Sequence, residues 1–167
     1  MKRSIVHVVA IFASKIADGK MKCFAKYIFK IAIAINELNL KVNNWLALYA
    51  NQKGFYEDAI LYLKNGLCAV PEDPSTRLNL VANLIYLNQS FTKEAINHAR
   101  IAIIHGGPET VARFKFRLIN TKNQEAYCDI FNALFEEVKA DYVARQKRKS
   151  EILKPEIFGN TVHVELQ

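Results

Sequence analysis

The chain has 167 residues, a net charge of +7, 51% hydrophobic residues, and only six glycines and four prolines. This length and composition fit one folded domain that buries its own core, and they exclude a disordered chain. The scarcity of glycine and proline favours an all-α protein over a turn-rich β-sandwich.

The first segment, MKRSIVHVVAIFASK at residues 1–15, combines a basic start with an apolar run, as a secretory signal does. His7 interrupts the run, and the IFA before Ser14 is a poor small-x-small cleavage site. No stretch reaches the roughly 18 apolar residues that a membrane span needs. We therefore predict a cytoplasmic protein, and residues 1–18 are either a first repeat helix or a targeting segment. An exported or membrane-associated form is the alternative.

A repeat begins to show in KGFYEDAILYLKNGLCAVPEDP at residues 53–74, which is a turn, a helix led by Ala59 and a proline stop. The same order of turn, aromatic, acidic and Ala-Ile residues returns around Ala95, and Ala25 lies in the corresponding upstream position. These alanines are 34 and 36 residues apart, which indicates a period. Each unit predicts two amphipathic helices that bury their apolar stripes only by stacking on neighbours.

The pattern resembles the tetratricopeptide repeat, in three degenerate units at residues 6–39, 40–75 and 76–109. The second unit fits best and has these signature residues: Leu46, Ala47, Ala59, Leu63, Gly66 and Pro71. The third unit supplies Ala82, Tyr86, Ala95, Ala99, Ala102 and Gly107. The resemblance implies an α-solenoid of stacked antiparallel helix pairs. We assign the spacing of 36 to extra residues in the turn PEDPS, with Ser75 or Thr76 as the next helix cap.

Beyond the Gly106-Gly107-Pro108 sequence the repeat fades. Residues 109–120 predict a further helix, although RFKFR at 113–117 alternates as a strand does. Residues 124–149 predict a long capping helix with an apolar stripe: Tyr127, Ile130, Phe131, Leu134, Val138 and Tyr142. The repeat domain is thus expected to span residues 1–149, followed by an extended or partly disordered tail at 150–167.

Catalytic and metal-binding patterns are missing. The chain has no Gly-x-Ser-x-Gly elbow, no phosphate-binding glycine loop and no His-Glu-x-x-His helix. His98 and His105 are seven residues apart, but no Glu or Cys completes a metal-ligand set. The cysteines are far apart, and we expect buried free thiols: Cys23, Cys68 and Cys128. We predict a non-enzymatic protein without a metal or cofactor.

The resemblance also implies a concave groove, lined by the first helix of each pair, that binds another protein. Carried over from the family, its residues here are Lys41, Asn44, Leu48, Asn51, Arg77, Leu80, Leu84, Leu87 and Asn88. The leucines predict an apolar strip flanked by amides, suited to an extended or helical segment. Lys41 and Arg77 at its edge favour an acidic partner. The carboxylate clamp of some family members is absent, since its slots hold Ala10, Ser14, Trp45, Arg77 and Val81.

An adaptor or scaffold is therefore the leading hypothesis, and a secretion-type chaperone or assembly factor is one form of it. Two alternatives stay open. In the first alternative, the leucines pack against the chain's own tail or last helix. In the second, the basic surface binds nucleic acid or a membrane. That basic surface has seven lysines and arginines against two acidic residues in 1–40, and the cluster RQKRK at 145–149.

Overall fold

The computed structural model describes Tyr27, Ile31 and residues 39–118, 121 and 123–152. Helix accounts for 87% of this part of the chain, which contains no strand, so the all-α prediction is confirmed. The predictions on the first repeat unit, on Ala10, Ser14 and Cys23, and on the tail beyond residue 152 lie outside the described residues.

The described helices follow one another with short connections, and each packs on the next in the sequence. They are α1 (Leu40–Gln52), α2 (Tyr56–Ala69), α3 (Pro74–Asn88), α4 (Lys93–Arg117) and α5 (Gln124–Ile152). Their apolar stripes meet in one continuous core.

Side-chain caps set where three of these helices begin. Asn39 Oδ1 accepts a hydrogen bond of 3.1 Å from the Val42 amide, and Thr92 Oγ1 accepts one of 3.2 Å from the Ala95 amide. Asp73 caps α3 by accepting one of 2.7 Å from the Thr76 amide. The prediction that Ser75 or Thr76 caps this helix is wrong. Pro74 occupies the first turn, where its missing N–H costs nothing, so α3 starts before residue 76.

The first helices of the two described pairs repeat at 34 residues, not 36. The buried positions of α1 are Val42, Asn43, Leu46, Ala47 and Ala50. The residues 34 further on in α3 are also buried: Thr76, Arg77, Leu80, Val81 and Leu84. The caps Asn39 and Asp73 have the same separation. Because α1 has 13 residues and α3 has 15, the two extra residues lengthen the end of α3 rather than the PEDPS turn.

The second helices keep the predicted spacing of 36. Ala59 in α2 and Ala95 in α4 are both 0% exposed. Gly66 in α2 also lies at a close helix contact, since a Cβ added there would be 3.3 Å from Asn43 Cβ in α1. Small residues therefore lie where the helices come closest, as the repeat predicts.

A kink at Gly107 divides α4. This residue has φ +63° and ψ −152°, which are accessible to glycine and strained for other residues, and Pro108 follows it. The segment RFKFR is helical, so the strand alternative is wrong for residues 113–117. Within it Phe114 is fully buried, whereas Phe116 is 72% exposed.

The last described helix, α5, packs along α4. The Phe131 ring stacks on Phe114 with centroids 4.0 Å apart, and Arg100 forms an ion pair of 2.8 Å with Glu137. Ile130 is 38% exposed and lies off the buried stripe. Because α5 continues to residue 152, the extended tail predicted from residue 150 is wrong for its first three residues.

Candidate partner-binding groove

A cavity of about 340 Å³ lies between α1 and α3, with the last residues of α4 at its edge. Helix α1 contributes Asn44, Trp45, Ala47, Leu48 and Asn51. Helix α3 contributes Asn79, Ala82, Asn83 and Tyr86, and α4 contributes Phe116 and Arg117. We call this cavity the groove. Its described lining combines asparagine amides and aromatic rings with one cationic side chain, that of Arg117.

Four asparagines in the groove form hydrogen bonds within and between the two helices, and we call them the amide row: Asn44, Asn51, Asn79 and Asn83. Asn51 Nδ2 donates to Asn83 Oδ1 at 2.8 Å, and Asn83 Nδ2 donates to the Asn79 carbonyl at 2.7 Å. Asn44 Nδ2 donates to Thr76 Oγ1 at 2.7 Å. A buried amide without a partner costs roughly 1–3 kcal/mol, so this pairing stabilises a polar contact between α1 and α3. It also places amide groups along the groove.

Arg117 forms the cationic end of the groove. Its carbonyl accepts a hydrogen bond of 2.9 Å from the Tyr86 hydroxyl, which fixes the end of α4 against α3. Its guanidinium is partly buried and has no hydrogen bond or ion pair with any other residue that the structure describes. Burial, and then the charge of Arg113, lower the pKa of Arg117. No carboxylate occurs among the described residues that line the groove.

Most of the predicted site residues on α1 line the groove. Asn44, Leu48 and Asn51 all line it, and Leu48 is 45% exposed. Lys41 is exposed on the same helix but lies outside the lining. The structure therefore brings three of the four predicted α1 residues together.

The predicted leucine strip on α3 is wrong. Leu80 is 0% exposed and Leu84 is 4% exposed, and both belong to the core. The reason is the spacing of 34, which aligns them with Leu46 and Ala50, the buried side of α1. Leu87 is exposed at the end of α3 and lies outside the groove.

Two polar predictions on α3 also need correction. Arg77 is almost fully buried and does not edge the groove. Its Nε donates to the Pro71 carbonyl at 2.8 Å, and its Nη1 lies 2.6 Å from His98 Nδ1 on α4. Burial lowers the pKa of Arg77, and Glu72 opposes this effect. Asn88 donates to the Leu84 carbonyl at 2.8 Å and does not line the groove.

Sequence reasoning missed the groove residues of α3 and α4, which are Asn79, Ala82, Asn83, Tyr86, Phe116 and Arg117. The groove residues of α3 could have been predicted from the caps Asn39 and Asp73. Their separation of 34 residues is the spacing between α1 and α3. No comparable signal exists for Arg117, because the kink at Gly107 sets its position.

The described cysteines are free. Cys68 is exposed, so its predicted burial is wrong, and Cys128 is partly buried. Burial raises the pKa of the Cys128 thiol, and Lys115 opposes this effect. Within the described residues, His, Cys, Asp and Glu form no group that would hold a metal ion. In the same part of the chain no helix has the length and apolarity to cross a membrane.

No protein-family model, no curated protein and no solved structure matches this chain. The tetratricopeptide resemblance and the solenoid arrangement therefore stay predictions that rest on the residues themselves.

Proposed function

We propose that this protein is a non-enzymatic adaptor that holds a segment of a partner protein in the groove between α1 and α3. The observation that carries the proposal is the amide row within a partly apolar cavity. Asn51 Oδ1 and Asn79 Oδ1 accept no hydrogen bond from the described residues, so they can accept from the N–H groups of an extended backbone. The exposed Leu48 beside them offers apolar contact. The resemblance of the sequence to the tetratricopeptide repeat, which stays a prediction, supports this use of the surface.

The groove suits a protein segment because it combines a few oriented polar groups with apolar surface. Burying Leu48 under a partner contributes roughly 25 cal/mol per Å² of apolar area. Backbone hydrogen bonds to the amides fix the position of the segment along the groove. A secretion-type chaperone or assembly factor that acts in the cytoplasm is one form of such an adaptor.

The test is partner capture from the native source with two matched variants. Leu48→Glu places a charge in the groove, whereas Leu61→Glu places the same charge on α2, where Leu61 is 56% exposed and outside the groove. We expect Leu48→Glu to lose the captured partner and Leu61→Glu to retain it, with unchanged helicity in both. Equal capture by the two variants would contradict the proposal.

Salt separates this proposal from the basic-surface alternative, in which the exposed Lys147, Arg148 and Lys149 of α5 bind nucleic acid or a membrane. Contacts to phosphates weaken steeply as salt rises, because released counterions drive them. Groove binding through apolar and amide contacts is expected to survive a wash at high salt. Capture that depends on these three residues and disappears with salt would favour the alternative.

A further inference from the structure

We infer that Arg117 receives a carboxylate of the bound segment, so that the groove selects an acidic protein segment. This inference rests on the proposed function and adds the chemistry of the partner to it. The arginines in the described part of the chain have unequal environments.

Most described arginines have a partner within the chain. Arg100 pairs with Glu137 at 2.8 Å, Arg145 pairs with Glu72 at 2.7 Å, and Arg113 pairs with Glu109 one turn away on α4. Arg77 donates to a carbonyl and contacts His98. Arg148 is exposed to water. Among the described residues, Arg117 alone combines partial burial with a guanidinium that has no polar partner.

Partial burial makes that position unfavourable for an uncompensated charge. A guanidinium that loses water and gains no acceptor carries a desolvation penalty. The pKa of Arg117 is lowered by this burial and by the nearby charge of Arg113. An arginine nevertheless stays protonated in proteins, so the penalty is relieved by an incoming anion rather than by loss of the proton. A carboxylate matches the guanidinium fork in geometry and charge.

The surroundings of Arg117 favour a carboxylate on a peptide. The Tyr86 hydroxyl fixes the Arg117 carbonyl, and the Tyr86 ring stacks on Tyr56 with centroids 5.4 Å apart. The backbone that carries the guanidinium is therefore positioned before a ligand arrives, which lowers the cost of binding. Asn51 and the exposed Phe116 line the same groove, so a peptide whose carboxylate reaches Arg117 also meets amide and aromatic surface.

The net charge acts in the same direction. The chain has a charge of +7, and no carboxylate occurs among the described lining residues. A negatively charged segment is thus attracted at long range and meets no like charge within the described groove.

The test uses pools of short synthetic peptides with acetylated and amidated ends and randomised sequence around one fixed position. The fixed residue is Glu, Gln or Lys in three otherwise identical pools. Binding is followed by NMR through the Nε–H resonance of Arg117 and the side-chain amide resonances of the amide row. The variants are Arg117→Gln and, as the control with the same charge loss on the same helix, Arg113→Gln. Circular dichroism verifies that both variants are folded.

We expect the Glu pool to bind about tenfold more tightly than the Gln pool, as one charge-assisted hydrogen bond of roughly 1.4 kcal/mol would give. The preference should disappear in Arg117→Gln and persist in Arg113→Gln. If the pools shift the amide row equally whatever the fixed residue, the carboxylate inference is wrong while groove binding stands. Equal loss of the preference in both variants would also overturn it, because the effect is then one of net charge. If no pool shifts the amide row, both proposals are wrong.

Discussion

Helices α1 and α3 begin alike and end differently. Each starts after an acceptor cap, Asn39 or Asp73, and each buries the same five positions counted from that cap. Their exposed sides differ, since α1 presents Leu48 at 45% exposure, whereas the residue 34 further on, Ala82, is 4% exposed. The groove is therefore open along α1 and closely packed along α3.

The two described helix pairs therefore have two different spacings. The first helices repeat at 34 and the second helices at 36, because α3 is two residues longer than α1. On a helix a shift of two residues turns a side chain by about 200°, which moves a groove position into the core.

The largest effect is expected for a charge on the buried side of α3. Leu84→Glu places a carboxylate at a position that is 4% exposed, and we expect it to lower the free energy of unfolding by at least about 4 kcal/mol. Leu87→Glu, one turn further on at 37% exposure, should change it by less than about 0.5 kcal/mol. Urea denaturation measures both. Tolerance of Leu84→Glu would restore the period of 36 for the first helices.

The turn and the kink that change the chain direction differ in how strictly they require glycine. Gly107→Ala puts a Cβ into the Tyr142 ring at a backbone conformation that only glycine adopts readily, so we expect a loss of about 3 kcal/mol. Gly54, in the turn after α1, has φ +78° but open space around it. Gly54→Ala should cost about 1 kcal/mol. Similar melting midpoints for both variants would argue against the kink.

The matched alanines of the second helices should respond alike. Ala59→Leu and Ala95→Leu each overpack a position that is 0% exposed, and about 2 kcal/mol is expected for each. Ala140→Leu, on the exposed side of α5, is the control and should leave Tm nearly unchanged. A large effect at only one of the two alanines would break the correspondence between α2 and α4.

The smallest effect concerns acid. His98 Nδ1 lies 2.6 Å from Arg77 Nη1, so the neutral ring is the acceptor, and burial and then Arg77 lower its pKa below the ordinary 6.5. Lys64 acts in the same direction, and Glu94 opposes it. The contribution of the neutral His98 to stability is therefore fully present above about pH 6.5 and is lost as the pH falls through the lowered pKa. His98→Asn should flatten this decline in urea titrations between pH 8 and 5, whereas the exposed Asn97→Gln should not.

For residues 39–152, apart from the undescribed positions 119, 120 and 122, periodicity in the sequence was sufficient to predict the helices and the small residues at their contacts. Ala59, Ala95 and most of the stripe on α5, though not Ile130, follow from periodicity, which depends on local geometry alone. The α3 half of the groove did not follow, because the period was measured on the second helices and then applied to the first. The position of Arg117 in the groove could not be predicted from the sequence for another reason. Its place depends on the backbone angles of Gly107 and on the packing of α4, which no local pattern encodes.

The most direct test of groove binding uses Trp45, the single tryptophan of the chain, which lines the groove. Its emission is recorded while the Glu-containing peptide pool is added to the wild-type protein and to Leu48→Glu. Because a bound segment excludes water from the indole, we predict a saturable blue shift in the wild type and its loss in Leu48→Glu. Binding of the same pool, established independently by calorimetry, with no change in Trp45 emission would contradict the groove as the binding site.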